Sequence, residues 1–442
     1  PTLWIANRCL LTSLVFALLC VLAYHKWRSS GSVLAAIASN VFLVVSLLAS
    51  EAGIATFAYL FAYAIALDRG SLLKRAASLI PAFAIIVAWR MVYSGLGNGA
   101  YGSGFVIDPG REPLSFMLEF LQRGPIMLFA QLGGPPSETF SFLRESYRPY
   151  MVVIAYVFLL MVLVVWWPLI RRDRLARFWL LAMCASVVPI CATVPMNRNL
   201  LYVAVAAFAL IAQFIGVWSA KESWLPSSRA WRAAAKTCFV IFVLAHIAFA
   251  VVGRIASPIT VSQTRKQFTA TMDFGDLSGV QEQDLVIVNA PNPFSLFFMP
   301  VYRAHQGQAL PKGLRVLSPG FALMKVTRED LRTLRLRAES GNLFSGRQER
   351  PFHVVHMYET FNEGFRHKNY PLHAGDVVEM PRMKVEVTEV DREGLPVEVV
   401  FRFAAPLEDG SLRWLRWDWH DKTYIPFDVP EVGQEVHVKG RF

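Results

Sequence analysis

The sequence predicts an α-helical polytopic membrane domain of about eight spans, residues 1–254, followed by an exocytoplasmic β-rich α+β domain, residues 255–442. Two observations lead there. Apolar residues form 54% of the 442-residue chain, high for a water-soluble protein, and up to about Val252 they gather into blocks long enough to cross a bilayer. Beyond Ser257 no such block recurs. Charge divides at the same place. Residues 1–254 hold 21 Lys and Arg against 9 Asp and Glu, and residues 255–442 hold 23 against 24, so the formal +11 belongs to the apolar part. A basic excess confined to a membrane-type half argues against a nucleic-acid partner, because loops retained in the cytoplasm carry that bias.

The predicted spans are roughly 9–24, 32–49, 53–67, 77–93, 150–169, 178–195, 200–218 and 237–253. Basic residues orient them. His25-Lys26-Trp27-Arg28, the stretch Asp68-Arg69 with Lys74-Arg75, the arginines 171, 172, 174 and 177, and Lys221, Arg229, Arg232 and Lys236 fall in alternate loops, as one cytoplasmic side requires. Residue 1, Glu51, the 94–149 loop, Asn197-Arg198 and everything after 254 are then external. The segment "PLSFMLEFLQRGPIMLFAQLG" (113–133) is apolar but carries Glu119, Arg123 and a Gly124-Pro125 break. Spanning would reverse every later loop, so a re-entrant or surface-lying amphipathic helix is expected. The Gly-rich "YSGLGNGAYGSG" before it serves either as a lid hinge or as a connector. The chain opens on Pro1 inside a membrane-type pattern with no signal peptide, which suggests a fragment or processed chain.

After Ser257 the pattern is soluble and mixed. "DLVIVNAP" (284–291) predicts a buried strand, "FSLFFMPVYRAHQG" a short helix, and "GLRVLS", "TLRLRAES" and the pair "MKVEVTEVD" and "VEVVFRF" around the turn "REGLP" predict further strands. The aromatic "WLRWDWHD" predicts an edge strand or a ligand-facing surface. All five cysteines (Cys9, Cys20, Cys184, Cys191, Cys238) sit in apolar blocks and are expected as buried free thiols. His353 and His356 in "FHVVHMY" would face opposite ways on a strand, so no metal site is expected, nor any cofactor.

Two stretches carry candidate chemistry. Glu51 falls at a very short turn between two spans, among small neighbours Ala49, Ala52 and Gly53. It is either a solvated turn acid or a polar group facing a cavity between closely packed helices. In "VPMNRNLLYV", Asn197 and Arg198 open the seventh span. An arginine beside free helix N–H groups suits a phosphate, and an interfacial arginine also snorkels with no ligand. Arg90 near the outer end of the fourth span, and Arg8 before the first, are weaker versions of the same idea.

"WIANRCLLTSLVFALLCVLAYHKW" (4–27), "LLASEAGIATFAYLFAYAIALDRG" (47–70) and "NRNLLYVAVAAFAL" (197–210) together resemble multispanning glycosyltransferases of the C superfamily, the group of protein O-mannosyltransferases and their bacterial relatives. The first is similar to that family's Trp-Ile-x-x-Arg segment, the second to its helix–Ser-Lys-Glu–helix element, the third to an Arg-Tyr-Leu segment opening a late helix. Departures stand at Cys9 and Leu10, where an acid often follows the arginine, at Ser50 in place of lysine, and at Asn197 in place of an acid. The resemblance implies a bacterial-type inner-membrane enzyme moving a sugar from a polyprenyl-phosphate donor to an external protein or glycan acceptor. It places the catalytic acid upstream of Pro1 and leaves Glu51, Arg198, Asn197 and Arg90 as substrate-binding residues. The other reading is a non-catalytic membrane protein whose exported domain binds an envelope ligand or a protein partner.

Overall fold

The computed structural model describes residues 7–99, 103–275, 277–292, 295–344, 351–353, 356, 358–360, 364, 366 and 369–441. The chain forms two compact units, Pro1–Tyr101 with Phe105–Val252, and Gly102–Gly104 with Gly253–Phe442. The first unit is helical: α1 (Arg8–Ser30), α2 (Val33–Ala49), α3 (Thr56–Ala66), α4 (Leu72–Gly95), α5 (Pro113–Gln131), the single turn α6 (Thr139–Phe142), α7 (Arg148–Arg172), α8 (Arg174–Ile190), α9 (Leu201–Ser219) and α10 (Arg229–Val243). A π-helical turn, Leu244–Ala248, joins α10 to α11 (Phe249–Ala270), which therefore runs well past the end expected near residue 253. Among the described residues, five helical stretches are long and apolar enough to cross a membrane: Arg8–Ser30, Leu72–Gly95, Glu145–Arg172, Asn197–Ser219 and Arg229–Ile259. The protein is thus a membrane protein by the length and composition of its helices. Val33–Ala49 and Glu51–Ala66 are apolar but shorter.

On two helices of this unit burial runs against the pattern of a soluble bundle. On α2 the inward positions are Ala35, Ser39, Leu43, Ser46 and Leu47, while Leu34, Ile37, Val41, Val44 and Leu48 are exposed. On α4 the buried residues are Ser78 and Ala82. Small and hydroxylated residues inside, with large apolar ones outside, suit helices whose solvent is hydrocarbon. The interior hydroxyls pair across helices: Ser13 with the Tyr202 hydroxyl at 2.7 Å and with Ser46 at 3.0 Å, and Tyr24 with Ser78 at 2.6 Å.

Two prolines free carbonyls that neighbouring helices then satisfy. Pro125 does not break α5 as expected; it leaves the Leu121 carbonyl without its i+4 donor, and the Tyr156 hydroxyl of α7 donates there at 2.8 Å. Pro168 does the same to Val164, and the Trp231 indole N–H of α10 reaches that carbonyl at 3.4 Å.

The loops collect at two ends. At the basic end, Arg28 pairs with Asp68 at 2.7 Å, Arg174 donates to the Ala66 carbonyl at 3.0 Å, and Arg172 lies over the Trp224 ring. Loops following α1, α3, α7 and α9 therefore meet, as the alternation of basic residues requires. At the far end, the segments flanking α5 both bind the stretch after α8. The Ile107 N–H donates to the Ala192 carbonyl at 2.8 Å, and the Ser137 N–H donates to Asn197 Oδ1 at 2.9 Å. Helix α5 starts and finishes at one end of the bundle.

The second unit holds α12 (Ser295–His305) and ten strands: β1 (Asp284–Ile287), β2 (Gly313–Val316), β3 (Met324–Arg328), β4 (Thr333–Ala338), β5 (Val377–Met380), β6 (Met383–Val390), β7 (Pro396–Phe403), β8 (Leu412–Asp418), β9 (Thr423–Pro426) and β10 (Glu435–Val438). Four form a sheet in the order β2-β1-β8-β9, with β1 parallel to both neighbours and α12 as the crossover to β2. Six form an antiparallel sheet in the order β10-β3-β4-β7-β6-β5. In β4 the alternation is plain: Leu334, Leu336 and Ala338 enter the core while Arg335 and Arg337 face outward. The strand carrying "WLRWDWHD" is β8, an interior strand between β1 and β9, not an edge. Trp414 and Trp417 are buried, and the Trp414 indole donates to the Leu407 carbonyl at 2.8 Å.

The outward face of the six-stranded sheet is a ladder of ion pairs. Partial burial opposes ionisation of Glu398, but hydrogen bonds from Thr388 and Arg337 and the Arg335 guanidinium outweigh it and hold its carboxyl below the usual range. A hydrogen bond and the charge of Arg402 hold Glu386 low as well. Carboxyls depressed in the folded state contribute stability above their unfolded pKa, about 4.3, and lose it as pH falls through their lower folded values. Hydrogen exchange across β4, β6 and β7, corrected for intrinsic rates, is therefore expected to be constant from pH 7 to about 5 and to accelerate below about 4. Protection unchanged at about pH 3 would contradict this.

Candidate functional site at the far end of the helical unit

The turn holding Glu51 is built by its neighbours. Ser50 takes an extended conformation that ends α2, and its hydroxyl accepts the Ala52 N–H at 3.3 Å, starting a 3-10 turn over Glu51–Ala55. Gly53 packs onto α2 so closely that a β-carbon would stand 2.7 Å from the Ser46 carbonyl oxygen. That fit is why a glycine occupies the position. Glu51 is pushed outward by this turn and is exposed. Its carboxylate accepts a hydrogen bond from the Tyr93 hydroxyl, on the last turn of α4, at 2.9 Å.

One turn below Tyr93, Arg90 continues the chain of contacts. Its guanidinium lies 5.7 Å from the Tyr93 ring centroid and forms an ion pair with Asp108. Asp108 is held in turn: its carboxylate accepts the Gly110 N–H at 2.9 Å and its carbonyl accepts the Glu112 N–H at 2.8 Å. Asp108 follows the stretch 105–107 that is bridged to residues 192–194. Glu51, Tyr93, Arg90 and Asp108 thus make one continuous polar row, with two carboxylates at its ends.

Asn197 and Arg198 share a 3-10 turn, Asn197–Leu200, ahead of α9. Asn197 locks the turn. Its N–H donates to Glu138 at 2.8 Å while its side-chain oxygen accepts the Ser137 N–H, a reciprocal cap between two loops. Arg198 is exposed, and among the described residues its side chain has no hydrogen-bond or ion-pair partner. Four residues on, Tyr202 reaches Ser13 and Ser46, and Ser46 lies five residues before Glu51. The same buried contact therefore anchors both Arg198 and Glu51 at one end of the bundle, although the two form no ion pair with each other.

Of the four residues singled out from the sequence, Asn197 and Arg90 are engaged by other parts of the chain, Glu51 is hydrogen-bonded yet exposed, and Arg198 is free among the described residues. Asp108 and Tyr93 were not foreseen. The available signal was a lone arginine inside an apolar helix, which needs a counter-ion, and the Asp-Pro-Gly turn at 108–110 able to supply one. The buried Arg123, paired with Glu119 at 2.8 Å and donating to the Cys191 carbonyl at 3.3 Å, fastens α5 under this face. No group of three or more His, Cys, Asp or Glu among the described residues could hold a metal. His356 lies in a helical turn, with Nδ1 3.0 Å from Glu359. Comparisons with protein-family models, with curated proteins and with solved structures find no match to this chain.

Proposed function

We propose that the protein is a C-superfamily-type glycosyltransferase of the inner membrane, with eight spans and its working face at the end that carries Glu51, Asp108 and Arg198. Its donor is a sugar on a polyprenyl phosphate and its acceptor an external protein or glycan. The observation that carries the reading is the pairing of chemistries at that end: an exposed arginine free of described partners at the start of α9, and two carboxylates joined through Tyr93 and Arg90. Arginine grips the phosphate that departs, and a carboxylate orients or activates the nucleophile that replaces it. Exposed apolar faces on the surrounding helices leave the polyprenyl chain in lipid while its phosphate reaches the interface.

The test is donor binding by the full-length protein in lipid nanodiscs. Saturable binding of a polyprenyl-phosphate-linked sugar, displaced by polyprenyl phosphate and not by free sugar, is the expected result. No binding above empty nanodiscs would overturn the reading.

A further inference from the structure

At the opposite, basic end, the last turn of α7 and the loop after α9 form a shallow, open cleft lined by Trp167, Pro168, Arg171, Arg172 and Trp224. Two rings position its two cations: Arg171 lies 4.9 Å from the Trp167 centroid and Arg172 lies 5.2 Å from that of Trp224. Neither guanidinium has an acidic partner among the described residues, in contrast to Arg28, which pairs with Asp68 nearby. Asp173, the one acid in this turn, is otherwise engaged. One oxygen caps the Leu175 N–H at 2.8 Å and the other receives Gln213 at 3.4 Å.

From these contacts we infer that the cleft is a binding site for the headgroup of an anionic phospholipid. Two guanidinium forks, held apart and aimed by aromatic rings, suit the non-ester oxygens of one phosphodiester. The commitment to a lipid over a free anion comes from what adjoins the cleft. Leu160, Leu163, Val164 and Trp167 form an exposed apolar stripe along α7, ending at the arginines. An acyl chain on that stripe places its phosphate at the cleft, and basic pockets between spans commonly take acidic headgroups. The inference rests on the membrane character of the helices and is independent of the transferase reading.

Native mass spectrometry of the full-length protein tests it, with phosphatidylglycerol, phosphatidylcholine and inorganic phosphate as probes. The wild type is expected to retain phosphatidylglycerol in preference to phosphatidylcholine. Arg171→Gln with Arg172→Gln is expected to weaken that retention by about tenfold or more, each interfacial cation counting for several-fold. Arg171→Lys with Arg172→Lys, which keeps the charge, is expected to retain a preference for the acidic lipid and so to separate loss of charge from misfolding. Arg69→Gln with Lys74→Gln, two exposed cations elsewhere at this end, is expected to leave retention unchanged. Equal retention by the glutamine pair, an equal loss in the Arg69 and Lys74 control, or phosphate binding without preference between the lipids would each overturn the assignment.

Discussion

Arg198→Ala is expected to weaken binding of a polyprenyl-phosphate donor by about 10- to 100-fold, the equivalent of one charge-assisted contact. Arg198 is exposed and has no described partner, so its removal leaves no buried group unpaired and costs the fold little. Arg198→Lys should recover only part of the loss, because a point charge replaces a bidentate fork. Glu51→Gln is expected to act differently. The amide still accepts the Tyr93 hydroxyl, so the turn persists, while a group able to take a proton or fix a nucleophile is gone. Transfer should then fall by about 100-fold or more with donor binding nearly unchanged. Wild-type binding in Arg198→Ala and wild-type transfer in Glu51→Gln would return Arg198 to a snorkelling role and Glu51 to a solvated turn.

Asp284→Ala is expected to produce the largest loss of stability in the β-rich unit, about 3 kcal/mol. Asp284 opens β1 and is 2% exposed, yet it carries two arginines. Arg382, in the β5–β6 turn, binds one oxygen at 2.6 Å, and Arg315 on β2 lies 3.4 Å from the other. Gly313 stands opposite Asp284 in the parallel register, and a β-carbon there would collide with the carboxylate. The carboxylate therefore stitches the four-stranded sheet to a hairpin of the six-stranded one. Removing it strands the nearly buried Arg315, whereas Arg382 recovers water, which keeps the expected cost toward the lower end for a broken buried pair. Hydrogen exchange on β1 and β2 in the full-length protein is the measurement. Protection equal to that of the wild type would contradict the role given to Asp284.

The helical unit was legible because lipid-facing helices declare themselves in composition, and because Arg28, Arg174 and Arg172 had to share one end if the loops alternate. The start and finish of α5 at one end of the bundle agree with that alternation. Its continuity through Gly124-Pro125 was not legible, since it depends on Tyr156, which is distant in sequence. In the second unit, β1, β4, β6 and β7 announced themselves by apolar runs or strict alternation. Strands β3, β5, β9 and β10 are only four or five residues long and owe their conformation to neighbours across the sheet, which local pattern does not encode. The edge position expected of β8 failed because charge and aromatic content say nothing of strand order. At the site, Glu51 and Arg198 stood out as ionisable groups among apolar neighbours. Asp108 did not, because an acid in a polar loop is ordinary until Arg90 is placed beside it.

We propose that the Glu51 and Arg198 end faces outward and that the basic end faces the cytoplasm. Arg198→Cys and Arg171→Cys, each in a background with the five native cysteines replaced, test it most directly through a membrane-impermeant maleimide on intact cells. The expected result is labelling at 198 in intact cells and at 171 only after the membrane is opened. Labelling of both positions from the same side, or of 171 alone in intact cells, would contradict it.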